Sequence, residues 1–449
     1  MTTTEKTMAE MALAAEFDRI IDRLPGEGLR DERRAAMARL AASGLPHRRI
    51  EEWKYTDLRA GLKEVFAAAD GANGVTAADV AAALGPLGTL EAHRLVFVDG
   101  IYAPALSPLD ALGTDAIAVK VAAASQTFVP TAKPISEGAR GDALQALNEA
   151  FASDGAIISV QDDASTSARD AKVRSGSPAK PIMIVSLSTA RAPLRVTTRH
   201  RIEIDAGMTA TVIEVYGRIG SSAIQTSAGS IVRIGKGAKL HHHKFALEGS
   251  RGAHLSSSDV EIGAGATYRA FHLTPGSGLA RTNVFATFAG PDARLDISGA
   301  FLGAGADHVD TTLVIDHAVP GCESRELFKG ILAGDAKGVF QGKVIVRPDA
   351  QKTDGKQMAQ ALMLSPTAEF DSKPELEIYA DDVICGHGST TAELDAELMF
   401  YCRSRGIPEA EARTLLIDSF IGEALAKVED GELREACLEI VAGWLKTNL

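Results

Sequence analysis

The chain has 449 residues, 45% of them hydrophobic and only 5% aromatic, with 42 glycines and a formal net charge of −12. That length suits two or three domains or one large repeat domain with extensions, and the glycine-rich, aromatic-poor balance favours a repetitive β structure over a large α/β enzyme core. An acidic chain repels phosphate backbones, which sets nucleic acid aside; Met1 to Phe17 has no basic head before an apolar run and no window reaches about 18 apolar residues, which sets aside a signal peptide and a membrane span.

From the N-terminus, Met11, Leu13, Phe17, Ile20, Ile21 and Leu24 recur at near-helical spacing, and Pro25-Gly26 ends that helix. Arg30 to Leu40 predicts a second helix, closed by Ser43-Gly44. Val75 to Leu84 predicts a third, with Thr76 as its N-cap. Between them, Glu51-Glu52-Trp53-Lys54-Tyr55-Thr56 follows neither period. Its aromatics are expected to pack against the main body, a partner-docking role being the alternative. From Glu91 to Ala156 short strands such as Leu95–Val98 mix with helical patches such as Gly141–Ala152.

From about Ala156 to Cys385 apolar residues alternate: Ile182 with Ile184, Ile202 with Ile204, Val232 with Ile234, Val260 with Ile262, Leu313 with Ile315, Val344 with Val346. A turn signature recurs. Ile202-Glu203-Ile204-Asp205-Ala206-Gly207 is followed by Val232-Arg233-Ile234-Gly235-Lys236-Gly237, then by Val260-Glu261-Ile262-Gly263-Ala264-Gly265. Ala289-Gly290-Pro291-Asp292-Ala293-Arg294-Leu295 is a degenerate fourth copy. The spacing of roughly 27–30 residues is that of a stacked array. Glycine supplies the positive φ at each bend, and β-branched residues stack inward from coil to coil. A β-sandwich with glycine turns is the competing reading.

From about Thr391 the pattern is helical again. Leu394, Leu398, Met399 and Tyr401 precede a stop at Gly406, and Pro408 opens a helix with Leu415, Leu416, Phe420, Ile421 and Leu425 on its apolar face. Asp430-Gly431 breaks it, and Leu433 to Leu445 forms the last helix. Such helices are expected to cap an open solenoid edge or to offer an apolar face to a partner.

The four cysteines, Cys322, Cys385, Cys402 and Cys437, form no C-x-x-C, which suits reduced thiols in the cytosol. Cys322 is expected at a turn, Cys402 and Cys437 in the core. No phosphate-binding G-x-x-x-x-G-K-S/T is present: Gly235-Lys236-Gly237 and Gly342-Lys343-Val344 lack the magnesium-binding hydroxyl. There is no G-x-S-x-G elbow either. His241-His242-His243 could offer a metal face, but a solvent-facing strand is the expectation.

Cys385-Gly386-His387-Gly388 is the sharpest feature. It follows Leu376 to Ile384, which reads as one strand. Positions two apart in an extended chain project to the same side, so Cys385 and His387 would face one target together. A thiolate and an imidazole suit iron, zinc or sulfur transfer, and the two glycines would let another chain approach. The blander alternative is a small buried cysteine beside a structural histidine. An iron–sulfur cluster takes about four thiolate or imidazole ligands. Dispersed cysteines do not supply them from one chain, so any such site would be shared across an interface.

These residues carry a resemblance. Lys373-Pro374-Glu375-Leu376-Glu377-Ile378-Tyr379-Ala380-Asp381-Asp382-Val383, Cys385-Gly386-His387-Gly388-Ser389-Thr390 and Phe400-Tyr401-Cys402-Arg403-Ser404-Arg405-Gly406-Ile407 resemble the SufB/SufD family of the SUF iron–sulfur cluster assembly system. Glu51 to Thr56 looks like the SufD branch. So do Ala359 and Gly388, which stand where the SufB branch carries a cysteine and a glutamate.

The resemblance implies a mainly β fold: a right-handed parallel β-helix over 156–390, between an N-terminal helical and mixed unit (1–155) and a C-terminal helical unit (391–449). It implies a cytoplasmic, non-catalytic scaffold in complex with the sister β-helix SufB and the ABC-type ATPase SufC. Iron or a nascent iron–sulfur cluster would sit transiently at the SufB interface on His387, with Cys385 beside it, and no nucleotide would bind this chain. The C-terminal helices would dock SufC through Tyr401, Leu415, Phe420 and Ile421. A polysaccharide-active β-helix enzyme and a purely structural homodimer are the rival readings.

Overall fold

The alternating residues of the middle zone build strands that stack in coils. The computed structural model describes residues 6–26, 29–71, 74–107, 117–121, 138, 141–161 and 180–448. Each coil lays one strand in each of two sheets. One sheet has ten strands, running from His93–Val98 and Ile101–Tyr102 to Ile384–Ala392; the other has nine, from Ile117–Val121 and Ala156–Val160 to Glu369–Ile378, among the described residues. Pairing is antiparallel only at the N-terminal edges and parallel from there on. The β-solenoid is therefore present and the sandwich is not.

Register shows how the repeat works. Ile202, Val232, Val260, Ala286, Ile315, Val344 and Leu376 are successive strand partners, one per coil. They line the lumen, where the largest apolar cluster lies. Each fully buried branched side chain there contributes on the order of 1.5–3 kcal/mol. One corner of each coil turns through a left-handed residue: Gly207, Gly237, Gly265, Asp292, Gly321 and Lys352 all have φ between 59° and 75°. Their amides bond from coil to coil, as from Gly237 to Ala264 and from Lys352 to Asp382. The degenerate fourth turn keeps the conformation with aspartate, which tolerates it better than most side chains.

Among the described residues the α-helices are α1 (Met8–Ile20), α2 (Arg30–Ser43), α3 (Leu58–Gly61), α4 (Ala77–Leu84), α5 (Ala143–Phe151), α6 (Ala396–Ser404), α7 (Glu409–Leu425) and α8 (Gly431–Asn448). Thr76 caps α4 in a reciprocal capping box with Asp79, as the sequence predicts. α1, α2 and α5 share an apolar cluster with Leu255 and Leu279, on the outer side of the nine-stranded sheet. α7 and α8 share one with Phe245, Phe271 and Ile331, on the outer side of the ten-stranded sheet. The C-terminal helices thus flank the solenoid and leave its C-terminal end uncapped, contrary to expectation: their apolar faces meet outward-pointing residues of that sheet.

The histidine tract also departs from its solvent-facing expectation. His242 points into the lumen and is fully buried. Its Nε2 lies 2.7 Å from Glu214 and its Nδ1 3.0 Å from the Tyr268 hydroxyl. Burial alone would raise the Glu214 carboxyl, but Lys244 and His242 hold it well below the usual range. His243 is buried on the opposite face, where burial lowers its imidazole to about 3. Among the described residues, no three His, Cys, Asp or Glu side chains are grouped so as to hold a metal ion.

Candidate functional site

The last coil sits at the uncapped end. Its strands are Glu369–Ile378 and Ile384–Ala392, each with a neighbour on one side only. The single strand expected from Leu376 to Ile384 is split, because the chain turns a corner through Tyr379 to Val383. An edge strand of this kind presents unpaired backbone groups to any chain that can add to it.

Cys385 and His387 both face along the lumen side of the terminal strand. Cys385 pairs with Gly355, His387 with Gln357 and Ser389 with Ala359, all inward positions of the preceding coil. At a rise of about 3.3 Å per residue, the two candidate ligands stand ~7 Å apart along the strand. Cys385 is half-buried and packs against the lumen cluster, whereas His387 is exposed at the open end. Burial, reinforced by Asp354, raises the Cys385 thiol. It therefore remains a neutral thiol at neutral pH, and deprotonating it would need a metal or a cation brought from outside.

Exposed apolar side chains share this end of the solenoid with charged ones such as Lys356, Asp381 and Asp382. Ile384 is 66% exposed and Tyr379 62%, and Ile378 and Met358 are exposed as well. Gly386 has open space where a Cβ would stand. At Gly388 a Cβ would come within 2.6 Å of the Met358 methyl, so any side chain here displaces Met358.

The residues expected to dock a partner divide into two groups. Tyr401 and Leu415 are exposed, and α6 has no buried residue, leaving Leu398 and Phe400 open as well. Ile421 is fully buried and Phe420 partly so, both within the cluster that seats α7 on the solenoid. Lys329 Nζ lies 4.4 Å over the Phe420 ring and pairs with Glu423. Those two side chains hold the helix in place. Of the other cysteines, Cys322 and Cys437 are buried, while Cys402 on α6 is half-exposed, short of the core position expected.

Trp53 is buried against the solenoid, stacked under Arg281 at 4.3 Å. Arg281 pairs with Asp310 and donates to the Glu52 carbonyl at 2.8 Å, and Thr56 donates to Asp310. The Glu51 to Thr56 segment is thereby fastened to the outer side of the nine-stranded sheet, as expected of Trp53. Two polar residues that the sequence reading passed over, Glu326 and Gln357, lie in the lumen beneath His387. The available signal was a lone acid at an inward position, between Ser324 and Phe328.

Comparison with known proteins agrees with this architecture. Residues 187–420 match the SUF system FeS cluster assembly, SufBD core domain, and residues 5–168 match the SufBD protein N-terminal region. The chain is 31% identical over 412 residues to the iron–sulfur cluster assembly protein SufD of Escherichia coli, covering 90% of each chain. It is also 31% identical over 430 residues to the SufBD family protein slr0076 of Synechocystis, covering 90% of this chain and 89% of that one. SufD of Bacillus subtilis is 28% identical over 146 residues, about a third of each chain. With both family regions matched and two relatives aligned along nearly the whole length, the chain belongs to the SufB/SufD family of iron–sulfur cluster assembly proteins.

Proposed function

We propose that this chain is the SufD-type, non-catalytic scaffold subunit of a cytoplasmic assembly complex, and that the nascent cluster forms where its open solenoid end meets the sister β-helix SufB. The observation that carries this reading is the terminal coil with its open sheet edges, on which His387 is exposed together with Ile378, Tyr379 and Ile384. Two ligands from this chain fall short of the roughly four a cluster takes. A second chain, added at the same edge, would complete the set.

In this mechanism His387 binds iron or the cluster as cargo through a ring nitrogen. Cys385 is a reserve donor, neutral until a metal lowers its thiol. SufC docks on α6 and the adjoining part of α7 through Tyr401 and Leu415, while Phe420 and Ile421 transmit its movement to the ten-stranded sheet on which they pack. ATP hydrolysis belongs to SufC, and no nucleotide binds here. The division into 1–155, 156–390 and 391–449 then separates a fastening unit, a cluster-facing solenoid and an ATPase-docking unit. The same exposed end would also suit a second copy of this chain, and a homodimer is the alternative state.

Anaerobic affinity purification from native cells tests the reading. Recovery of an ABC-type ATPase and a sister β-helix subunit is the expected result. Recovery of neither, while a control complex survives the same procedure, would refute it.

A further inference from the structure

Glu326, Gln357 and His387 are successive strand partners in one lumen-facing column, above Ile297. Rungs of a parallel sheet lie about 4.8 Å apart, so Gln357 forms the floor beneath His387 and Glu326 lies one rung deeper. Each of the two is only 3% exposed.

The amide of Gln357 crosses the lumen. Its Nε2 donates to the Glu375 carbonyl on the opposite sheet at 3.4 Å. Its Oε1 occupies the space a side chain at position 342 would need: a Cβ there would lie 2.0 Å from it, so Gly342 keeps the slot open. Yet Gln357 Oε1 and both carboxyl oxygens of Glu326 are buried with no hydrogen-bond partner among the described residues. Acceptors on adjacent rungs repel one another unless one carries a proton. A protonated Glu326 is a donor, and one bond from it to Gln357 Oε1 would partner two of these three oxygens. Burial raises the Glu326 carboxyl to about 8, which keeps that proton on at neutral pH.

We propose that Glu326 and Gln357 are positioning residues for His387: the acid donates to the amide oxygen, and the amide so fixed is the shelf on which the imidazole rests. The proposal builds on the reading of His387 as the cargo ligand.

Its test reads the imidazole directly. The rate of diethyl pyrocarbonate modification at His387 is followed by mass spectrometry in the full chain, with half-exposed His47 as internal reference. Glu326→Leu and Gln357→Leu, both compatible with an apolar lumen, should each raise the His387 rate severalfold and leave His47 unchanged. Glu326→Gln, which can still donate to the amide oxygen, should keep the wild-type rate. In the assembled complex the two Leu variants should retain about tenfold less iron, the usual scale for losing a supporting shell. Wild-type His387 rates in the Leu variants would overturn the proposal, and Gln357→Leu decides it should Glu326→Leu fail to fold. If His387→Ala assembles clusters normally, the cargo reading fails instead, and the modification rates still judge the column.

Discussion

Glu326 ties a local environment to a measurable pH dependence. Its carboxyl moves from an ordinary 4.5 to about 8 through burial alone. Between those values the folded chain holds a proton that the unfolded chain has released, so stability falls as pH rises through that window and levels off above it. At 1.36 kcal/mol per pH unit the loss is roughly 4 kcal/mol by pH 8. Glu326→Gln removes the titration. Chemical denaturation should find it more stable than wild type at pH 8 by roughly 3–4 kcal/mol and equal to it near pH 4.5; a constant difference across that range would refute the buried-acid assignment. Legibility at this scale was uneven. Cys385 and His387 could be paired from their spacing alone. The burial of His242 could not, because its compensating partners Glu214 and Tyr268 lie 28 and 26 residues away in sequence and meet it only once the coils stack.

At the scale of elements, periodicity revealed most of the secondary structure and little of the docking. The turn signature exposed the coil corner at Gly207, Gly237 and Gly265 and, in degenerate form, at Asp292, and hid it at Lys352, where a side chain adopts the same left-handed turn. Alternation ran straight through Tyr379 to Val383 and concealed the corner just before the site. An amphipathic helix shows that it must cover something, without showing what; hence the C-terminal helices were expected on the open end and lie on the flank. The fastening of Glu51 to Thr56 is testable at this scale. Arg281→Ala removes the cation over Trp53 and leaves the Asp310 carboxylate buried without its ion-pair partner. A destabilisation of about 3–5 kcal/mol is expected. Limited proteolysis should then cleave first in the N-terminal segment while the solenoid persists. Unchanged stability and cleavage order would mean the segment is held by its apolar contacts alone.

For the whole molecule, layering explains the division of labour. Helices cover both outer faces of the solenoid, which leaves its C-terminal end as the place where sheet edge, exposed apolar side chains and the candidate ligands coincide. A Cβ at Gly386 would meet nothing within 4 Å among the described residues, so a substitution there can probe assembly with little steric cost to folding. Gly386→Val should leave the melting temperature of the isolated chain within about 2 °C of wild type, yet lower its co-purification with the sister subunit. A variant that still assembles fully would place the interface elsewhere. The same logic puts the greatest weight on His387. The most direct measurement is the iron and acid-labile sulfide bound by the anaerobically purified complex carrying His387→Ala, after confirming that its subunits are present in wild-type proportion. An intact complex that has lost most of its iron and sulfide is the expected outcome; an intact complex with wild-type amounts of both would show that this end of the solenoid does not hold the cluster.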